Sequence, residues 1–164
     1  MDALSANTLT DAPDEALAEL SCEACAVDCA QRSVQLLRGA GLRPTRQRVM
    51  LGELLFGKGD RHVTAETLFA EAVEANTHLS LATVYNTLNQ FTQAGLLRRI
   101  GADGSKSFFD TNTSVHPHFY LVGEDILIDV PETLMLEQMP EALPGHEISR
   151  LDIIIHIRRK PTDA

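Results

Sequence analysis

The chain has 164 residues, 44% of them hydrophobic, which is enough apolar material for one domain or for two small ones. No apolar run approaches the roughly 20 residues that span a bilayer, and the N-terminus is acidic where a signal peptide would be basic. The composition therefore excludes a membrane protein and predicts a cytoplasmic one.

The net charge of −9 is unevenly distributed along the chain. Residues 1–30 carry seven acidic and no basic side chains, residues 31–110 carry ten basic and seven acidic ones, and residues 111–164 carry four basic and nine acidic ones. Only the middle of the chain is positive, so a surface that binds nucleic acid is expected there.

Residues 1–30 lack aromatic side chains and hold few large apolar ones, which predicts a mobile tail. The tail contains Cys22, Cys25 and Cys29, an odd number that does not suit a disulfide framework. Their spacing resembles part of a metal site, but zinc usually takes four ligands and no second cysteine pair exists. We expect reduced thiols, and a metal-binding role stays open.

Helices are predicted from residue 33 onward. A short one begins near Ser33 and ends before LRP, and a second, RQRVMLGELLF, follows Thr45 as N-cap. The stretch GKGDRH predicts a turn. A third helix, AETLFAEAVEAN, follows Thr64 as N-cap, and its predicted inward side chains are Leu68, Phe69, Ala72 and Val73.

The stretch LSLATVYNTLNQFTQAGLL gives the clearest helical pattern, with Ser80 as N-cap and Gly95 as the C-terminal stop. Its polar face carries amides and hydroxyls but no charges, and these groups suit hydrogen bonding to base edges. Two short strands, LLRRI and KSFFD, follow and flank Asp103-Gly104, a hairpin signal. Helices followed by a hairpin predict a winged helix-turn-helix over residues 31–112; a helical domain with an incidental hairpin is the alternative.

Residues 113–160 change to a mixed pattern. FYLV and DILIDV predict strands, PETLMLEQMPEAL a helix and SRLDIIIHIRRK a further strand, so the overall class is α+β. About 50 residues form a small domain, and pairing with a second copy would cover its sheet. We expect a homodimer, with His156 facing solvent or the dimer seam.

His116 and His118 flank Pro117 at the start of an apolar run. Residues two apart in an extended chain face the same side, so both imidazoles could reach one ion. The pair could equally be two polar residues at a strand end.

The stretches GLRPTRQRVMLGELL, HVTAETLFAEA, LSLATVYNTLNQFTQAGLLRRI, KSFFD and HPH resemble the ferric uptake regulator (Fur) family of metal-responsive repressors. The resemblance covers roughly residues 37–160. It implies that Thr83, Tyr85 and Asn86 contact operator bases and that basic residues contact the DNA backbone or a narrow AT-rich minor groove. Those basic residues are Arg43, Arg46 and Arg48. Tyr85 also lies on the apolar side by its period, which leaves a partly structural role open.

The resemblance also implies a regulatory site for Fe²⁺, Mn²⁺ or Zn²⁺. Its ligands would be His62, Asp110, His116, His118 and Asp129. Many family members hold a structural zinc ion with two Cys-x-x-Cys pairs, and neither pair is present at the matching positions, so that zinc is not expected.

Within the family, the chain resembles the iron response regulator branch. The features that carry this resemblance are the absence of the two cysteine pairs, the stretch LRPTRQR and a strand ending in RRK. That branch binds DNA when iron is scarce and is inactivated by haem. His116, His118 and Cys29 are the haem candidates, although Ala30 follows Cys29 where some members have a Cys-Pro motif.

The sequence thus predicts a homodimeric iron- and haem-responsive regulator that binds AT-rich palindromes and is not an enzyme. A repressor that responds to Fe²⁺, Mn²⁺ or peroxide is the alternative within the family. A zinc hydrolase using the three histidines lacks a motif such as H-E-x-x-H. A protein that binds metal without DNA would show no preference for palindromic duplex.

Overall fold

The computed structural model describes residues 29–102, 104, 106–131 and 140–160 of the chain. Helices come first and most strands follow, which confirms the predicted α+β class. The helices are α1 (residues 29–39), α2 (Arg46–Phe56), α3 (Ala65–Glu74) and α4 (Leu81–Gln93). The strands are β1 (His62–Val63), β2 (Arg98–Gly101), β3 (Ser107–Asp110), β4 (His118–Leu121), β5 (Ile126–Asp129) and β6 (Ile154–Ile157).

Three of the helices begin at the hydroxyl side chains that the sequence predicts. Thr45, Thr64 and Ser80 each accept a hydrogen bond from the backbone N–H three residues further on, at 3.4, 3.1 and 3.2 Å. Each bond satisfies one of the N–H groups that a helix leaves without an internal partner, a contribution of about 1 kcal/mol per cap. Gly95, with a φ of +75°, follows the end of α4 as expected.

Helix α1 extends further toward the N-terminus than predicted. Residues 29–32 are already helical, so Ser33 lies inside the helix instead of capping it. Ser33 is buried, and its Cβ lies 3.4 Å from the position that a Cβ on Gly52 would take, so α1 packs closely against α2 at this point. Residues 1–28, with Cys22, Cys25 and nearly all of the predicted tail, are outside the described part of the chain.

The main hydrophobic core lies between the helices and one face of the first sheet. Its buried members come from all four helices, β1 and β3, and they include Leu37, Leu51, Leu55, Val63, Leu68, Val84, Leu88, Phe91 and Phe109. Leu68 and Ala72 are buried as predicted, whereas Val73 is 52% exposed and its predicted inward position is wrong. Helix α3 therefore buries a narrower stripe than its apolar residues suggest.

The first sheet has the strand order β1-β3-β2, and both of its pairings are antiparallel. Strand β1 lies where the sequence predicted the end of a turn and then a helix cap. It consists of two residues, and its pairing with β3 depends on a partner far along the chain. A local pattern cannot show such a strand, and this explains the error at His62.

The second sheet has the order β5-β4-β6, with β4 antiparallel to β5 and parallel to β6. Strand β6 is shorter than the predicted run of residues 149–160. Of the helix predicted over residues 131–143, residues 132–139 lie outside the described residues, and residues 140–143 form no regular element.

The β2–β3 hairpin is buried on both faces. Phe109 packs into the core of the helices, while Phe108 and Ile100 join Tyr120 and Leu127 in a second hydrophobic cluster. This cluster binds the first sheet to the second. The polar ends of β1, β3, β4 and β5 therefore meet at the junction of the two sheets. Among the described residues, none of the helices is both long and apolar enough to cross a membrane.

Candidate metal centre and nucleic-acid interface

Two cross-strand pairs supply four of the five predicted metal ligands. In the first sheet His62 lies directly opposite Asp110, and in the second sheet His118 lies directly opposite Asp129. Directly opposed residues in an antiparallel pair have their Cβ atoms about 5 Å apart on the same face. The fifth residue, His116, comes from the segment that connects the two sheets.

The five side chains converge at one point. One potential ligand atom from each of them lies within 4.8 Å of all the others. An ion with nitrogen and oxygen ligands at about 2.1 Å has opposite ligand atoms about 4.2 Å apart. The cluster is therefore close to the dimensions of a first coordination shell. The structure brings together all five residues that the resemblance implies.

Several of the converging atoms are buried without a hydrogen-bond partner. They are Nε2 of His62, Oδ2 of Asp110, and both ring nitrogens of His118. Nε2 of His62 and of His118 lies at 3.5 and 3.4 Å from Oδ2 of Asp110, and Nε2 of His62 lies 3.0 Å from Oδ1 of Asp129. These contacts are close enough for ion pairs, but their geometry is not that of hydrogen bonds. Burying polar atoms without partners costs free energy, and a cation in the middle of the cluster would supply a partner for each of these atoms except Nδ1 of His118, whose other nitrogen faces the cluster.

His116 gives a second reason to place a cation in this cluster. Its Nδ1 lies 3.1 Å from the backbone carbonyl of Ser114, so Nδ1 must be the donor in that bond. In the neutral ring Nε2 is then an acceptor, and it lies 2.9 Å from Oδ1 of Asp129, which in the carboxylate is also an acceptor. A proton or a metal ion must lie between these two atoms. The residues present therefore fit a divalent ion.

The charges also suit a divalent ion. Burial alone would raise the pKa of Asp110, but contacts with His118 and His62 and the backbone N–H of Asn112 outweigh it and hold the pKa below its usual range. Asp110, which is 0% exposed, is therefore ionised at neutral pH. Two carboxylates and three neutral imidazoles would together balance a charge of +2.

Three of the six predicted DNA-binding residues line a cleft between α2 and α4. Arg48, Thr83 and Asn86 line a cleft of about 300 Å³ together with polar side chains of both helices. Arg48 donates to Oε1 of Gln90 at 3.1 Å and to the backbone carbonyl of Arg43 at 2.8 Å. These bonds fix the direction of the guanidinium group before any ligand binds.

The other three predicted DNA-binding residues lie outside this cleft. Arg43 and Arg46 are exposed, and Arg46 lines a smaller neighbouring cleft. Tyr85 is 39% exposed, so the apolar position that its period suggested is only partly correct. Its hydroxyl donates to Oε1 of Glu66 at 2.5 Å, which lowers the pKa of Glu66 and raises that of Tyr85.

The sequence did not predict the side chains that hold Arg48 and Tyr85 in place, which are Gln90 and Glu66. Gln90 orients Arg48, and its place on the polar face of α4 was the available signal. Nothing in the sequence indicated the partnership of Glu66 with Tyr85. Cys29 is half-buried in α1, and it is not a member of the cluster that could hold a metal ion.

The chain is similar in sequence and in fold to proteins of one family. The model of the ferric uptake regulator family matches residues 39–155. The ferric uptake regulation protein of Vibrio parahaemolyticus is 30% identical over 131 residues, which are 79% of this chain and 87% of that protein. The structure of the ferric uptake regulator of Pseudomonas aeruginosa with manganese superposes with a TM-score of 0.59 at 28% identity, covering 78% of this chain and 98% of that one. The structure of the Francisella tularensis regulator with iron has a TM-score of 0.58 at 21% identity, covering 73% and 93%.

Proposed function

The chain belongs to the ferric uptake regulator family, whose members are metal-responsive transcription regulators and not enzymes, and from that premise we propose that it is a homodimeric repressor controlled by a divalent metal ion. The observation that carries the proposal is the convergence of three histidines and two aspartates between the two sheets. The regulating ion would be Fe²⁺ or Mn²⁺, because imidazole and carboxylate ligands suit both. The manganese and iron in the two related structures favour the same ions.

Helix α4 is the proposed recognition helix of a winged helix-turn-helix, with the β2–β3 hairpin as the wing. Thr83 and Asn86 present a hydroxyl and an amide to the major groove, and Arg48 reaches the backbone from the same cleft. Tyr85, held by Glu66, turns its ring toward the outside of the protein. An aromatic ring in that position suits the methyl groups of thymine, consistent with AT-rich palindromic operators.

The proposed metal site couples the helices to the second sheet. His62 lies in β1, two residues before Thr64, which caps α3. Tyr85 of α4 donates a hydrogen bond to Glu66 of α3. His118 and Asp129 belong to the second sheet. When bound, the ion would supply a set of bonds that joins the two halves of the chain. His62 and Asp110 would then hold the helices at one angle to the second sheet.

The second sheet offers the surface for a homodimer. Ile126 and Ile128 are two residues apart on β5, so they share a face, and both are exposed. Ile157 on the edge strand β6 is also exposed. Covering these side chains with a second copy would set the spacing of two α4 helices, and the metal-dependent angle would decide whether both reach successive major grooves.

Haem as the effector stays a prediction. The candidate ligands His116 and His118 lie within the compact cluster, and His118 is 1% exposed. Haem ligation by these two residues would therefore require the cluster to open. Haem-dependent inactivation is the second candidate function, and the resemblance to the iron response regulator branch is its support.

Fluorescence anisotropy of an AT-rich inverted-repeat duplex tests both candidates in three buffers, containing chelator, Mn²⁺ or haem. We expect tight binding with Mn²⁺ and weak binding with chelator. The double variant Arg48→Ala with Tyr85→Ala should lose binding to the level of unrelated duplex. The matched control is Arg159→Ala, which removes an exposed arginine that follows β6.

Binding that persists in chelator and disappears with haem would replace the metal proposal by the haem candidate. Binding that is equal for palindromic and unrelated duplexes in every buffer would refute the operator-binding proposal. In either case a His118→Ala variant reports on the metal site independently, because Mn²⁺ affinity can be measured without DNA.

A further inference from the structure

Arg98 occupies an unusual position next to the candidate metal centre. It is 9% exposed, and it lies directly opposite Asp110 in the first sheet. His62 lies opposite Asp110 on the other side, so His62, Asp110 and Arg98 form one row across the three strands. Directly opposed residues share a face, so the guanidinium group extends from the same face as the two ligands.

The guanidinium group makes four hydrogen bonds to the segments that surround the cluster. Nη1 donates to the backbone carbonyl of Ser114 at 2.8 Å, and Nη2 donates to the carbonyl of Leu151 at 2.8 Å. Nη2 and Nε also donate to Oδ1 of Asp152, at 2.6 and 3.2 Å. Arg98 therefore joins the first sheet to the connecting segment and to the residues that lead into β6.

The carbonyl of Ser114 is shared between Arg98 and a metal ligand. It accepts from Nη1 of Arg98 and also from Nδ1 of His116, at 3.1 Å. The second bond determines which nitrogen of His116 carries the proton, and it leaves Nε2 directed at the cluster. A hydrogen bond to the second nitrogen of a metal-binding histidine fixes its tautomer and ring orientation. Arg98 holds the acceptor of that bond in place.

A second series of hydrogen bonds reaches Ser114 from the other side. Oδ1 of Asp110 accepts from the backbone N–H of Asn112 at 2.8 Å. Oδ1 of Asn112 accepts from the backbone N–H and the hydroxyl of Ser114, at 3.1 and 2.7 Å. The segment between the ligands Asp110 and His116 is therefore held by bonds at every second residue, and Arg98 anchors its far end.

We propose that Arg98 is a positioning residue of the metal centre, which acts on His116 through the backbone carbonyl of Ser114 and is itself anchored by Asp152. The inference rests on the proposed metal site and adds to it a second, outer connection between the two halves of the chain. Arginine is required because its planar group reaches two carbonyls and a carboxylate at once in fixed directions. A lysine ammonium has three donors on a flexible stem and does not reproduce that geometry.

The test is a double-mutant cycle on Co²⁺ affinity in the full-length protein, followed by the visible absorption of the bound ion. The variants are Arg98→Gln, His116→Ala and the two together. Arg98→Gln should weaken Co²⁺ binding about 10- to 100-fold and change the Co²⁺ spectrum. In the His116→Ala background the same change should weaken binding by less than about twofold, because the group through which Arg98 acts is gone.

Arg98→Lys should bind Co²⁺ more weakly than the wild type, and Arg159→Gln, which removes an exposed arginine, should match the wild type. An Arg98→Gln effect of the same size in both backgrounds, or a loss of stability with unchanged Co²⁺ affinity, would overturn the inference. If Arg98→Gln does not fold, Asp152→Asn takes its place in the cycle under the same criteria. Wild-type protein that does not bind Co²⁺ would instead refute the metal site itself.

Discussion

Replacing Asp110 by asparagine tests the metal centre most directly, because the change removes one charge from a fully buried side chain while keeping its shape. Asp110 is 0% exposed, and its Oδ2 lies 3.3 to 3.5 Å from Nε2 of all three histidines. The asparagine retains an oxygen that can accept from the backbone N–H of Asn112. We therefore expect the metal-free variant to fold, and its metal binding to be much weaker than that of the wild type.

The size of the effect follows from linkage. An ion present at 100 times its Kd stabilises the folded state by about 2.7 kcal/mol. Loss of a ligand should weaken binding by at least about 100-fold, since even outer-shell changes cost about 10- to 100-fold. At the same ion concentration the variant would then gain only about 0.4 kcal/mol. For a chain of this length, these two free energies correspond to different increases in Tm when the ion is added. The increase is about 5–11 °C for the wild type and about 1–2 °C for Asp110→Asn.

Thermal unfolding followed by circular dichroism, with and without Mn²⁺, measures both shifts. The matched control is Asp60→Asn, because Asp60 is exposed two residues before His62 and is not part of the cluster. The control should show the wild-type shift. An Asp110→Asn variant whose Tm rises with Mn²⁺ as much as that of the wild type would show that the ion stabilises the protein from elsewhere.

Four further expectations concern the helices and the surface. In denaturant titration, Ser80→Ala should lower the free energy of unfolding by about 1 kcal/mol, because the cap of α4 is lost. Leu88→Ala truncates a side chain with 0% exposure and should lower it by about 2–5 kcal/mol. The Arg61 hydrogen bond lowers the pKa of Glu71, so Glu71 stabilises the protein above its unfolded-state pKa and this stabilisation declines as the pH falls. Urea titrations from about pH 6 to pH 3 should therefore show a smaller loss of stability in Glu71→Gln than in the wild type. Arg48→Ala should weaken operator binding and reduce the slope of log K against log salt by about 1, which a salt series measures.

Local patterns predicted the helices well because their signals are local. Thr45, Thr64 and Ser80 each cap the helix that was predicted to begin after them. A cap depends only on a hydroxyl and on the backbone N–H three residues further on, so the signal lies within four residues. Strand β1 could not be predicted in this way. Its two residues have no pattern of their own, and they are extended because Asp110 and Phe109 pair with them.

The candidate site was only partly accessible from the residues themselves. Spacing alone suggested His116 and His118, while His62, Asp110 and Asp129 entered through the resemblance to a family. The outer contacts were not predictable from either source. In LLRRI two adjacent arginines look alike, and only the register of β2 against β3 directs Arg98 toward the connecting segment and leaves Arg99 exposed.

The shortness of β1 has a kinetic consequence for the proposed site. Two residue pairs hold this strand against β3, and Arg61 and Thr111 flank them with two further bonds. The N–H of Thr111 donates to the carbonyl of Arg61 at 3.1 Å, and the N–H of Arg61 donates to Oγ1 of Thr111 at 2.8 Å. Opening this pairing breaks few hydrogen bonds and exposes one core side chain, Val63, so it requires less free energy than global unfolding. His62 would leave the cluster with it while the β2–β3 hairpin and the second sheet remain paired. The dwell time of an ion would then be set by the fraying of one two-residue strand, and the protein would respond to a fall in metal concentration without unfolding.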